Sequence, residues 1–255
     1  MLKKMVFFDT ETTGIDFNNS RIIEIGYVVI EKVDGKFKRT KEVDEFIKQP
    51  FVLEEIMTSR TNEYGKLESI ADLTGISTEQ MQSGITEDDL VDLLLMDFFT
   101  PDTLVIAYNS NFDLNMVKNL LDRKGYNGSE YIKSVDHLDL LTVYKDYNAY
   151  SRELDPSGKP LGHRLDAAVK RYKVSHINTH RAIDDVLATV EVYYSMMREE
   201  EVKYFQYYNT FGFNPKFENE LEKLDGIEYL PQPYNRKKVV LYEHLRRYRE
   251  RMRLA

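Results

Sequence analysis

The order of apolar segments predicts an α/β domain built on a mixed sheet. Three strand-like segments come first with no helix between them, and from about residue 86 strands alternate with helices. Strands joined by short turns run antiparallel, whereas strands separated by a helix run parallel. The alternation stops near residue 200. The domain is therefore expected to span 1–200, with 201–255 as a C-terminal extension of aromatic and then basic character.

Each element follows from its own residues. Met5-Val6-Phe7-Phe8 is apolar at every position and suits a strand buried on both faces. Arg21 to Glu31 is rich in β-branched residues and reads as the second strand. Asp34-Gly35 signals a hairpin turn, after which a third strand runs from Phe37 to about Ile47. Pro50 to Tyr64 reads as irregular. Thr86 to Phe99 is an amphipathic helix with Leu90, Val91, Leu94 and Phe98 on one face. Leu104 to Ala107 is a buried strand, and Asp113 to Lys124 a helix ended by Gly125. Tyr131 to Val135 suggests a short strand and Leu138 to Tyr147 a helix, followed by a turn at Asp155-Pro156-Ser157-Gly158. Helices are expected from His163 to Tyr172 and from Arg181 to Arg198. In a sheet of this kind, sites gather at the C-terminal ends of the strands.

Composition narrows the classes. The 255 residues are 42% hydrophobic and contain no cysteine, which excludes disulfides and thiolate metal sites. No apolar run is long enough to span a membrane, and the apolar start ends at Asp9, too early for a signal peptide. A cytoplasmic location is the default expectation. Net charge is −8, unusual for a nucleic-acid protein, but the last twenty residues hold eight basic and two acidic side chains. An acidic body suits a site that takes cations first and phosphates second.

Five acids and a histidine stand at element ends. Asp9 and Glu11 follow the first core strand, and residues i and i+2 of a strand share a face. Their repulsion would be relieved by a divalent cation with oxygen ligands. Such a pair also occurs at ordinary solvated strand ends. Asp113 follows the second core strand, where a helix dipole alone would favour an acid. His180, Asp184 and Asp185 open a late helix. None is decisive singly. Together they could converge at one sheet edge, where several carboxylates would be costly without metal ions.

The ordered motifs resemble the DEDDh 3′-to-5′ exonuclease family, which includes the proofreading subunit of bacterial DNA polymerase III. They are Phe8-Asp9-Thr10-Glu11-Thr12-Thr13-Gly14, Arg21-Ile22-Ile23-Glu24-Ile25-Gly26, Leu73-Thr74-Gly75-Ile76-Ser77, Asn109 through Asp113, Val135-Asp136-His137-Leu138, and His180-Arg181-Ala182-Ile183-Asp184-Asp185. The resemblance covers about residues 5 to 195. It implies an RNase H-like five-stranded sheet flanked by helices. It makes Asp9, Glu11, Asp113 and Asp185 the metal ligands and His180 the general base. Ideal helical spacing would pair His180 with Asp184, whereas the family pattern selects Asp185. The two agree if His180 precedes the helix. Tyr108 departs from the family, many of whose members have a histidine there.

The implied reaction is phosphodiester hydrolysis with two divalent ions, Mg²⁺ with Mn²⁺ as substitute, releasing nucleoside 5′-monophosphates. An imidazole of ordinary pKa near ~6.5 suits removal of a proton from water. Thr10, Thr12, Thr13, Asn109 and Phe112 are the expected substrate contacts, although Phe112 equally suits packing under its helix.

Past Arg198 the resemblance fades. Tyr204, Phe205, Tyr207, Tyr208 and Phe211 suit packing or base stacking, and Gly226 to Tyr234 suggests a short strand or an extended arm. Leu241, Leu245, Tyr248 and Met252 recur at helical spacing among five arginines, a basic amphipathic helix. That helix could dock on its own domain, clamp phosphates, or bind a replication or repair protein.

The leading expectation is a free-standing deoxyribonuclease acting on single-stranded DNA or other nucleic-acid 3′ ends, since 255 residues leave no room for a polymerase. The alternatives are an enzyme of the same chemistry on RNA or short oligonucleotides, a non-catalytic nucleic-acid-binding module, and a metal-dependent phosphatase or nucleotidase.

Overall fold

A computed structural model describes residues 2–62, 64–147, 162–175 and 181–199, and two short strands beyond them, 227–231 and 237–241. Strands β1 (Lys4–Thr12), β2 (Ile22–Val33) and β3 (Lys36–Phe46) come first. A single 3-10 turn (Leu53–Glu55), the hairpin β4 (Met57–Thr61) and β5 (Leu67–Ser69), and helices α1 (Ile70–Thr74), α2 (Thr78–Ser83) and α3 (Glu87–Asp97) follow. Then come β6 (Thr103–Ala107), α4 (Ser110–Arg123), α5 (Gly128–Ser134), β7 (Asp136–Asp139), α6 (Leu140–Tyr147), α7 (Leu165–Tyr172) and α8 (Ala182–Glu199). The five-stranded sheet has the order β3-β2-β1-β6-β7. β1 is antiparallel to β2 and parallel to β6, and β6 is parallel to β7. The meander expected from the sequence and the parallel half are both present. Asp34 and Gly35 both take positive φ, 52° and 79°, as a two-residue hairpin turn requires.

Alternation along β1 sorts the core into two layers. Met5 and Phe7 pack with α6, α7 and α8 through Leu140, Val143, Ala168, Val186, Val192 and Met196. Val6 and Phe8 pack with α3 and α4 through Leu90, Leu94, Phe98, Leu114, Val117 and Leu121. A smaller cluster of Ile23, Leu53, Ile70, Ile76 and Met81 closes the sheet end where β2 begins. Thr86 opens α3 by a capping box with Asp89, which explains why that helix starts where the sequence placed it.

Several boundaries differ from expectation. Tyr131 to Val135 is not a strand: it lies largely in α5, which Asn127 caps by accepting from the Glu130 amide. A five-residue apolar run does not distinguish helix from strand, and Ile132 finds its burial in the α4 layer as a helical residue. The strand is Asp136–Asp139 instead, so the following helix starts two residues later than expected, at Leu140. Pro50 to Tyr64, read as irregular, contains the 3-10 turn and β4, whose partner β5 lies outside that window. α4 begins three residues before Asp113, placing that acid inside the first turn. The short strand expected near 226–234 is present as β8 (Ile227–Pro231), antiparallel to β9 (Lys237–Leu241). Leu241, expected to open a helix, instead ends the β-branched run of β9 and pairs with Ile227. Residues 242–255, the aromatic segment 204–211 and the 155–158 turn lie outside the described residues. Among the described residues no helix is long and apolar enough to cross a membrane.

β2 meets α8 most closely at Gly26. A Cβ there would lie 2.4 Å from the Ile183 backbone nitrogen and 2.5 Å from the Ala182 carbonyl carbon. Both atoms are backbone and cannot rotate aside. Gly26→Ala should therefore lower unfolding free energy by about 1–3 kcal/mol, the usual cost of overpacking. Urea denaturation checks this, and an unchanged midpoint would show that helix and strand can separate freely.

Candidate active site

The end of β1 carries the first two acids. Asp9 and Glu11 continue the series begun by Met5 and Phe7, so both face the α8 layer. Each is half-buried. Across β2 their register partners are Gly26 and Glu24.

Asp113 reaches the same sheet end from the other layer. β6 runs parallel to β1 with Ile106 beside Phe7, so the chain leaving Ala107 emerges level with Asp9. Asn109, exposed and at φ 74°, turns the chain into α4. Asp139, the last residue of β7, holds that turn. Its Oδ1 accepts from the amides of Asn109 (2.9 Å), Ser110 (3.3 Å) and Leu141 (3.1 Å), and its Oδ2 accepts from the Thr142 hydroxyl (2.7 Å). One carboxylate thus satisfies orphan amides of two helices. Asp113 is buried, and its Oδ1 accepts from the Thr10 amide (3.1 Å) and hydroxyl (2.7 Å). The Thr10 hydroxyl, expected at the substrate, is donated to a carboxylate.

Asp185 completes the set from α8. The helix starts at Ala182, so His180 precedes it, and residues 176–180 lie outside the described residues. The two acids of α8 differ in their surroundings. Asp185 lies in the field of Asp9 and Glu11, whereas Asp184 lies in that of Arg181. Asp185 Oδ1 is buried and has no hydrogen-bond partner among the described residues.

Burial and mutual repulsion push these acids far from ordinary behaviour. Desolvation, then Asp113, Asp185 and Glu11, hold the Asp9 carboxyl well above the usual range. Glu11 is pushed up to about 8 by burial, then by Glu24, Asp185 and Asp113. Asp113 rises to about 7 through burial, although the Thr10 hydrogen bonds oppose the shift. Asp185 also rises to about 7, through burial and then through Asp166, Asp184 and Glu24. Glu24 is a fifth buried acid, which sequence reading noted as part of a motif but did not place at the site. Its signal was a charged residue inside the apolar run from Ile22 to Ile30 of β2.

The donor set fits a hard cation: all the ligands on offer are carboxylate oxygens, and a buried one stands without a partner. Among the described residues, no group of three or more acids or histidines is arranged so that it could hold a metal ion. Around the acids, the Thr12 hydroxyl donates to the Gly14 carbonyl (2.8 Å), and the Thr13 hydroxyl accepts from the Arg21 amide (2.9 Å). Phe112 is half-buried and packs against Phe17 at 5.7 Å, so packing accounts for part of its surface. Tyr108 donates its hydroxyl to the His163 carbonyl (2.7 Å) and so ties α7's leading segment to the end of β6.

An exonuclease family model matches residues 6–193. The chain is 29% identical over 199 residues to a PolC-type DNA polymerase III of Caldanaerobacter subterraneus subsp. tengcongensis, covering 77% of this chain and 12% of that one. It is 28% identical to exodeoxyribonuclease I of Haemophilus influenzae, covering 65% of this chain and 36% of that one. Among solved structures, E. coli exonuclease I in complex with a dT13 oligonucleotide superposes with a TM-score of 0.62 at 21% identity. That match covers 87% of this chain and 46% of the other. The fold is RNase H-like, as in these neighbours. The chain spans less than half the length of each of these three relatives.

The raised acids set a pH dependence. Unfolded, such carboxyls titrate near ~4. Folded, Glu11, Glu24, Asp113 and Asp185 titrate at about 7 to 8. Between these limits the native state holds protons that the unfolded chain has lost, so stability falls as pH rises. In EDTA, Tm should drop from pH 5 to pH 8. Mn²⁺ should restore it at pH 8 and have little effect at pH 5, as read by differential scanning fluorimetry. A flat Tm profile in EDTA would mean the acids are not crowded.

Proposed function

Because the chain belongs to this exonuclease family, we propose that it is a metal-dependent 3′-to-5′ exonuclease that removes nucleoside 5′-monophosphates from the 3′ end of single-stranded DNA. The observation that carries this reading is the meeting of Asp9, Glu11, Asp113 and Asp185 at one sheet end, with Asp185 Oδ1 left without a partner. Four such acids would hold two divalent cations, Mg²⁺ by preference and Mn²⁺ in its place. Bound there, the cations supply an acidified water and neutralise charge on the phosphate.

The chain's own residues do the rest. Asp9 and Glu11 act from the rigid central strand, and Thr10 orients Asp113 through two hydrogen bonds. A ring nitrogen of His180, just ahead of α8, takes the proton from the attacking water. Thr12, Thr13 and Asn109 form the rim that meets the terminal nucleotide, and Phe112 flanks it beside Asp113. DNA is favoured as substrate because the relatives include a DNA polymerase III and an exodeoxyribonuclease.

The test uses 5′-labelled and 3′-labelled single-stranded DNA with Mg²⁺ or EDTA. Stepwise shortening of the 5′-labelled strand and early release of the 3′ label as mononucleotide are expected, with silence in EDTA. Asp9→Ala should abolish the reaction, and His180→Ala should lower kcat by about 10²–10⁴-fold. Cleavage of matched RNA in place of DNA would move the substrate to RNA. Silence on both, with folded protein, would leave a binding module.

A further inference from the structure

Glu24 lies in the field of Glu11 and Asp185, and each of its oxygens already accepts a hydrogen bond. Its side chain is fully buried in β2, directly across from Glu11. Oε1 accepts from Arg181 Nε at 2.6 Å, and Oε2 accepts from the backbone amide of Ala182 at 3.2 Å. Ala182 is the first residue of α8, so the carboxylate satisfies an orphan amide at the positive end of that helix. Arg181 reaches further. Its Nη2 lies 3.3 Å from Asp44 on β3, and its guanidinium sits 4.9 Å from the centre of the Phe46 ring. The Arg181 carbonyl accepts from the Asp185 amide at 3.1 Å. Gly26, two residues along β2 from Glu24, lets the backbone of Ala182 and Ile183 lie directly on the strand.

Stability alone is a poor account of this arrangement. A neutral side chain could cap α8, whereas a carboxylate beside Glu11 adds repulsion to an already crowded corner, and a buried ion pair gains little net stability. What a buried pair does provide is a single geometry. A guanidinium fork joins β2 and β3 to the helix at once, which a single ammonium cannot do.

We infer that Glu24 and Arg181 are positioning residues: together they fix the first turn of α8 on the sheet, and thereby set Asp185 against the acids of β1. The inference rests on the exonuclease reading above. On this inference Glu24 works by holding Arg181 through Oε1 and the first amide of α8 through Oε2, and not as a cation ligand.

The experiment compares wild type with Arg181→Ala, Arg181→Lys and Glu24→Gln. Urea denaturation establishes folding, steady-state kinetics on 5′-labelled single-stranded DNA give kcat and KM, and calorimetry gives Mn²⁺ affinity. Where Arg181→Ala does not fold, Arg181→Lys, which keeps the charge but not the fork, carries the comparison. The expected result is a kcat lower by about 10–100-fold, KM within about twofold, and Mn²⁺ affinity weakened by a similar order, as supporting shells of metal sites behave. Folded variants with unchanged kcat and Mn²⁺ affinity would overturn the inference, and so would a loss confined to KM, which would place Arg181 on the substrate. If wild type neither binds Mn²⁺ nor shortens DNA, the exonuclease reading falls and this inference with it. If wild type is active and the variants match it, the inference alone falls.

Discussion

Repulsion among carboxylates in one desolvated corner is the constraint on which the rest of this structure depends. Asp9, Glu11, Asp113 and Asp185 all sit where burial and neighbouring negative charge disfavour ionisation. A chain gains nothing in stability from that arrangement, since each buried charge costs free energy that only a partner can return. The acids are held together because the elements that carry them are held by something stronger. That stronger term is the apolar core on both faces of β1, where Val6, Phe7 and Phe8 are buried almost completely.

The two layers divide the work. Alternation along β1 sends Asp9 and Glu11 toward α8 and Thr10 toward Asp113, so one strand serves acids arriving from both sides of the sheet. Parallel pairing of β1 with β6 brings the start of α4 level with Asp9, and Asp139 pins that start through hydrogen bonds to two backbone amides there. On the opposite side, Gly26 allows α8 to lie directly on β2, and Glu24 with Arg181 fixes its first turn. Each supporting group is thus itself held by rigid elements, as a site that must keep sub-ångström geometry requires.

A fold of this type hosts many activities, and function has to be argued from its site. Here the family match and the acids agree. The matched region ends at residue 193, and the basic tail lies beyond it.

Much of this was legible in the chain itself. Three strands in succession followed by strand-helix alternation determined the mixed sheet, because connection length dictates whether neighbours run antiparallel or parallel. Two acids at i and i+2 after an apolar run determined a shared face, and the ordered motifs determined the family. Other features were decided only by tertiary structure. The segment 131–135 became helix because Ile132 is buried against α4, a contact that no local periodicity encodes. Asp185 acts electrostatically on the β1 acids from a helix that starts at Ala182, where Glu24 caps it from 158 residues away. Asp139 carried no signal in the sequence and Glu24 only its place in a motif, and their work became visible only with their partners in place. Local pattern sets what a segment can form. Which amide a buried carboxylate will satisfy depends on groups distant in the chain, and only packing brings those together.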